Sequence, residues 1–368
     1  MNRSLLLAAA TASSVLFSQL AAAQTTVATD PVGFTTLQVA GSPTTGTPAL
    51  SFLGLSMTQT VEFQGVASSS GAANAIKGTN SNWIEDQFNA PAGDARNAAD
   101  KAYFVEVTSG PQAGRISDIV DTVASTQTIQ IADNLGLSGG ESFKIRRHWT
   151  LARVFGPNAG TNNQVLLGQG GASDADQVLI YDPAAAAYVT YYYKSSTRAD
   201  SSVGWRRTTG TLTDDYSNQK LPITDGLIVR RQRAGDVAVT LPGAVKLGPS
   251  KRVILTDLNF AANVFPVPFT LGSSGLYNAA DPTNSIAAGS ASDADHVLVY
   301  DGTSYITYYY KASTRLNQST GWRSTSGADA LNTDVSGTPI ADGKSVIIKR
   351  NGGRGAFTWT APQPFPNP

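Results

Sequence analysis

Apolar and polar side chains alternate in short runs along most of this chain, and turn residues close each run. Ala102-Tyr103-Phe104-Val105-Glu106-Val107 runs into Ser109-Gly110-Pro111, and Ser142-Phe143-Lys144-Ile145 follows Ser138-Gly139-Gly140. Thr128-Ile129-Gln130-Ile131 has the same period of two. Runs this short and this regular predict β-strands, with Gly-Pro and Gly-Gly steps marking the turns. Helical spacing is scarce, and only residues 90–102 and 114–121 are expected to hide a short helix. The expected fold class is all-β.

One pattern occurs twice. Ser173-Asp174-Ala175-Asp176-Gln177-Val178-Leu179-Ile180-Tyr181-Asp182 returns as Ser292-Asp293-Ala294-Asp295-His296-Val297-Leu298-Val299-Tyr300-Asp301, 119 residues later. The match continues through Tyr191-Tyr192-Tyr193-Lys194 and Tyr308-Tyr309-Tyr310-Lys311 at an offset of 117, because Pro183-Ala184-Ala185-Ala186-Ala187 gives way to the shorter Gly302-Thr303-Ser304. A hairpin loop is where such a length change is absorbed. Gly204-Trp205-Arg206 matches Gly321-Trp322-Arg323, Asp225-Gly226 is paired with Asp342-Gly343, and Trp149-Thr150-Leu151 with Phe269-Thr270-Leu271. A fainter echo joins Leu50–Leu55 to Leu258–Asn263. If that echo marks the start of each copy, residues 61–148 are an insertion.

A period near 120 residues is too long for a solenoid and suits tandem β domains. The expected organisation is a leader over residues 1–23, an N-terminal β-rich region over 24–148, repeat unit A over 149–250 and repeat unit B over 251–368. The units are expected to be antiparallel β-sandwiches or open barrels, with the N-terminal part an additional β meander. The leader rests on Arg3 followed by an apolar stretch from Leu5 to Leu20 that ends in Ala21-Ala22-Ala23. It predicts export, to the extracellular space, the cell surface or the periplasm. No membrane-spanning segment is expected in the mature chain, and short strands with two apolar faces disfavour an outer-membrane barrel.

Cysteine is absent, so the chain has neither disulfides nor thiolate metal sites. With 27 basic against 27 acidic residues, nothing general draws it to nucleic acid. The clusters Arg146-Arg147 and Arg230-Arg231-Gln232-Arg233 are expected to be strand-end charges that keep a sheet edge soluble.

Two features of the repeat are candidate sites. Asp174 and Asp176, with Asp293 and Asp295, put carboxylates on a turn, and hard oxygen ligands on a loop are what Ca²⁺ takes. The competing expectation is that these acids close turns onto backbone N–H groups. Asp182, roughly 20 Å beyond Asp176 along an extended strand, cannot share an ion with it. The tyrosine strands are the second candidate: Tyr188 and Tyr192, Tyr305 and Tyr309, with Trp205 and Trp322, are possible stacking surfaces for sugar rings. The bland alternative is that Tyr shields a sheet while its hydroxyl reaches water.

Catalysis finds little support. His148 and His296 stand opposite Pro268 and Gln177 in the repeat, so neither histidine was duplicated. No G-x-S-x-G elbow, H-E-x-x-H or Walker loop occurs. The four glutamates, Glu62, Glu85, Glu106 and Glu141, all precede the repeat.

The set "DPVGF", "AYFVEVTSGPQAGRISDIV", "ESFKIRRHWTL", "NFAANVFPVPFTL" and the repeated "SDAD…YYYK…GWR" resembles a family of uncharacterised secreted proteins of verrucomicrobial bacteria, over most of the mature chain. The resemblance implies export and nothing about activity, and it carries over no catalytic residue. The function expected is that of an exported, non-enzymatic structural or adhesive protein of the surface or extracellular space. A carbohydrate-binding protein, with or without Ca²⁺ as its one cofactor, is the alternative, and a glycan hydrolase comes third. Expected partners are surface glycans or further copies of the chain.

Overall fold

The computed structural model describes residues 30–44, 46–68, 74–79, 81–89, 102–157, 164–197, 201–313, 319–327 and 330–366. The leader and nearly all of the helix expected over 90–102 lie outside the described residues. The rest is nearly all β, as the alternation predicts.

The first copy is built from β1 (Val32–Val39), β2 (Ala49–Leu53), β9 (Trp149–Thr150), β10 (Gln177–Asp182), β11 (Ala187–Lys194), β12 (Gly204–Arg207), β13 (Lys220–Leu221), β14 (Leu227–Arg231) and β15 (Val237–Ala244). Its main sheet runs β12-β11-β10-β14-β2, all antiparallel, with β1-β15 and β9-β13 as two-stranded ribbons. The second copy repeats this strand for strand. It contains β16 (Ser250–Ile254), β17 (Leu258–Ala262), β18 (Phe269–Thr270), β19 (His296–Tyr300), β20 (Tyr305–Lys311), β21 (Gly321–Ser324), β22 (Pro339–Ile340), β23 (Ser345–Lys349) and β24 (Phe357–Ala361). The sheet order is β21-β20-β19-β23-β17, with ribbons β16-β24 and β18-β22. The echo between residues 50–55 and 258–263 is thus a pair of equivalent edge strands, β2 and β17.

Register corrects one of the sequence pairings. Ile228 sits beside Phe52 and Ile347 beside Phe260, so the offset has returned to 119 by β14. Asp225 is therefore equivalent to Lys344, not to Asp342. The hairpin that lost two residues is compensated in the loop after β12: Arg206 Nε reaches the carbonyl of Leu212, whereas Arg323 Nε reaches that of Leu331.

Between β2 and β9 the chain forms a separate closed barrel of β3 (Val61–Ser68), β4 (Ala75–Gly78), β5 (Tyr103–Val107), β6 (Ile116–Val123), β7 (Thr128–Ile131) and β8 (Ser142–Arg147), in the order β3-β4-β7-β6-β5-β8. In the second copy residues 263–268 make the same connection. Trp83, Phe88, Phe143, Val105 and Ile145 fill the barrel, which is a packed core and not a pore. The helix expected over 114–121 is strand β6. A register shift between Ile119 and Asp121 marks a bulge, so Ser117, Ile119 and Thr122 are the buried residues. A bulge breaks the period of two and imitates helical spacing. The one α-helix among the described residues, α1 (Leu151–Phe155), is a single turn capped by Thr150, whose hydroxyl accepts from the Arg153 N–H at 3.3 Å.

The two five-stranded sheets pack face to face. Their inner faces meet in one cluster of Phe52, Ile228, Leu179 and Tyr181 with Phe260, Ile347, Leu298 and Tyr300. The contacts are reciprocal: Phe52 lies 4.9 Å from Tyr300 and 5.4 Å from Tyr305, while Phe260 lies 5.2 Å from Tyr181 and 5.3 Å from Tyr188. Phe52 and Phe260 stack on each other at 6.3 Å. The edges cross as well, since Gly54 N–H donates to the Gly343 carbonyl and Ala262 N–H to that of Thr224. A residue on one copy meets its counterpart's neighbour on the other, which is the rule of an isologous two-fold interface. Gly54 permits this closeness: a Cβ there would lie 2.6 Å from the Lys344 carbonyl oxygen and 2.8 Å from the Ala262 methyl. The outer faces of both sheets share a second core containing Val178, Trp205, Val229, Val297, Trp322 and Ile348.

Candidate functional site

The repeated acidic turn is internal structure. Asp176 is fully buried, and its Oδ2 accepts from Arg231 Nη1 at 2.6 Å and from the Gly168 N–H at 2.6 Å. Its Oδ1 accepts from the Gln232 N–H at 2.7 Å. Asp295 is held identically by Arg350 Nη1, Ala287 N–H and Asn351 N–H, at 2.7, 2.8 and 2.8 Å. A fully buried carboxylate already paired with a guanidinium and tied to two backbone amides is neither open nor uncompensated enough to take Ca²⁺, so Asp176 and Asp295 leave the expected metal set. Asp174 and Asp293 remain on the surface turn, bonded to Ser173 and Ser290. Among the described residues no three acids or histidines converge as metal ligands. Asp174→Asn with Asp293→Asn is expected to shift stability by less than about 0.5 kcal/mol, with or without a calcium chelator, as checked by thermal denaturation.

The basic clusters change meaning too. Arg231 is buried by its pair with Asp176, and Arg146 by its pair with Glu106 at 3.1 Å. They anchor the interior and do not decorate an edge.

Of the six aromatic residues expected to stack on sugars, four are closed off. Tyr192, Tyr309, Trp205 and Trp322 are 3, 1, 0 and 3% exposed, so none offers a ring face to solvent. Trp205 donates its indole N–H to the Gly156 carbonyl at 2.8 Å. The arginine after each Trp fastens a loop: Arg206 donates to the Trp205, Val203 and Leu212 carbonyls, and Arg323 to those of Trp322, Thr320 and Leu331. Gly204 and Gly321 precede them at φ 134° and 124°, a region closed to side chains, which explains the repeated Gly-Trp-Arg. Tyr188 and Tyr305 do keep 41 and 43% of their surface, at the edge of the inter-sheet cluster. Burial, with Tyr305 and Tyr181 as neighbours, raises the Tyr188 phenol.

The histidines serve as fasteners. His148 Nε2 meets Asp118 Oδ1 at 2.8 Å, and Asp118 also binds Lys220, which joins the barrel to the first copy. Burial alone would raise the Asp118 carboxyl, but His148 and Lys220 outweigh it and hold it well below the usual range. His296 Nε2 meets the Ala291 carbonyl.

Sequence reasoning missed a pocket of about 350 Å³ where the edge of the first copy meets loops of the second. Phe52, Ile340 and Val346 form a buried floor, with Leu50 and Tyr300 half-buried beside them. The exposed side chains of Gln38, Asp236, Asp301 and Lys344 stand around the mouth. Asp301 Oδ1 accepts from the Thr303 and Ser304 N–H groups, both at 2.8 Å, and these bonds lower its pKa. Asp236 Oδ1 accepts from the Gly41 N–H at 2.8 Å. Desolvation lowers the Lys344 ammonium despite nearby Asp342. The counterpart position keeps Leu258, Phe260, Tyr181 and Asp182 for Leu50, Phe52, Tyr300 and Asp301, but its rim differs. Asp225 replaces Lys344 and pairs with Arg252 at 3.2 Å, while Val253 and Leu255 replace Gln38 and Ala40. There a cavity of about 450 Å³ is walled by Arg115, Asp118 and Asp133 of the barrel. The signal for this site in the sequence was divergence at its rim, where Gln38, Ala40 and Lys344 do not match Val253, Leu255 and Asp225. Comparison with protein-family models, curated proteins and solved structures finds no match for this chain.

Proposed function

We propose that this protein is an exported, non-catalytic structural or adhesive component of the cell surface or extracellular space. The observation that supports this most is where the duplicated chemistry went. Asp176 and Asp295, Arg206 and Arg323, and Trp205 and Trp322 are all consumed in holding the two sheets and their loops. A duplicated catalytic module would be expected to conserve a cluster of open reactive groups, whereas most side chains repeated here are closed. The open ones, Asp174 and Asp293 with Tyr188 and Tyr305, lie on a surface turn and at the edge of the inter-sheet cluster. Two glutamates of the inserted barrel follow the same pattern, since Glu106 is buried between two cations and Glu141 caps the Ser138–Gly139 turn. No helix among the described residues is long and apolar enough to cross a membrane.

Fractionation with antibody imaging tests this reading. The expected result is a chain lacking residues 1–23 in the surface or culture-medium fraction. A cytoplasmic chain that retains its leader would sink it.

A further inference from the structure

We infer that the pocket between Phe52 and Lys344 binds a sugar residue of a glycan. This deepens the adhesive reading by giving it a ligand class, and it rests on the chemistry of the pocket. The floor is apolar and lies deep, while the mouth carries acceptors and donors in nearly equal number. A pyranose ring has this same division, with C–H faces above and below and hydroxyls around its edge. Its flat side lies against the half-buried Leu50 and Tyr300 side chains, and its hydroxyls reach the mouth.

The mouth is provisioned for hydroxyls. Asp301 and Asp236 each use one carboxylate oxygen on backbone N–H groups, which fixes the side chain; the second Asp236 oxygen has no hydrogen-bond donor among the described residues, while Asp301 also interacts with the Ser304 side chain. Lys344 supplies N–H donors that no hydrogen bond among the described residues satisfies, in contrast to its counterpart Asp225, which is neutralised by Arg252. Gln38 offers both a donor and an acceptor. The buried Ser345 hydroxyl, also on the wall, has no hydrogen-bond partner among the described residues. Competing ligands fit less well. A phosphate would face two carboxylates against one ammonium, and an acyl chain would strip water from all three charges without replacing its hydrogen bonds.

The test uses the full mature chain and the methyl glycosides of glucose, galactose, mannose and N-acetylglucosamine, followed by saturation-transfer NMR. At least one glycoside is expected to bind saturably. Asp301→Asn and Lys344→Met should each weaken that binding at least about tenfold, the loss associated with one charge-assisted hydrogen bond. Both side chains are exposed, so circular dichroism should report an unchanged fold. Asp225→Asn, at the counterpart position, should leave binding unchanged. Absence of saturable binding by all four glycosides, or equal binding by both pocket variants and the parent, overturns the inference. Neither result depends on where the protein resides, so the pocket and the surface role stand or fall separately.

Discussion

Glu106→Gln is expected to destabilise the protein by about 3–5 kcal/mol, because it strands two buried cations. Glu106 on β5 points out of the barrel and meets Arg146 on β8 at 3.1 Å and Lys246, just past β15. All three side chains are at most 3% exposed. Arg146 also donates to the Gln59 carbonyl at 2.9 Å, so the ion triad ties the barrel to both of its neighbours in the chain. Burial by itself would raise the Glu106 carboxyl, but Lys246 and Arg146 more than reverse this, and its pKa is lowered. A group whose folded pKa is depressed stabilises the fold above its unfolded pKa, and that stability is lost as pH falls through the folded value. Acidification below about pH 4 should therefore weaken the parent more than the Gln variant. Urea unfolding at pH 7 and pH 3 measures both effects. A change under 1 kcal/mol at pH 7 would mean that water reaches the triad on loss of the acid. Replacing all three residues with apolar ones of similar volume should recover most of the loss.

Phe260→Ala is expected to cost about 3–5 kcal/mol, and Phe52→Ala a similar amount, as removal of a large buried ring leaves a cavity. Each ring is the hub for two tyrosines of the opposite sheet, and the two rings touch. Because they share one seam, the double variant should lose less than the sum of the singles. The cycle would show a coupling of about 0.5–3 kcal/mol. Hydrogen exchange should quicken first in β2 and β17, the edge strands that cross the seam. Strict additivity would show that the two sheets do not depend on this contact.

The strands were legible because period two survives wherever one register holds along a whole strand. Thr128-Ile129-Gln130-Ile131 and Ser142-Phe143-Lys144-Ile145 sit in β7 and β8 as read. Period failed at Ile116–Val123, where a bulge shifts the register, and at Leu151–Phe155, where one capped turn is too short to show a period. The repeat was legible, but its meaning was not. Local sequence shows that Asp176 recurs and cannot show that Arg231, 55 residues away, lies against it. The tyrosines posed the same problem. Alternation places Tyr188 and Tyr192 on one face without revealing that a second sheet covers most of that face. Closure of the barrel depends on the pairing of β3 with β8, which joins residues with no local signature. The pocket was invisible for a further reason, since its walls come from both copies and join residues far apart in the chain, such as Gln38 and Lys344.

The reciprocal seam also bears on how such a molecule can change. In a dimer of identical chains every substitution appears on both sides of the axis, so an innovation at one mouth is imposed on the other. Covalent linkage of the halves removes that constraint. Position 344 can carry an ammonium while its mate at 225 carries a carboxylate, and the barrel can grow from one connection while the other stays six residues long. The shared interior keeps the halves alike, and their separate exteriors are free to specialise.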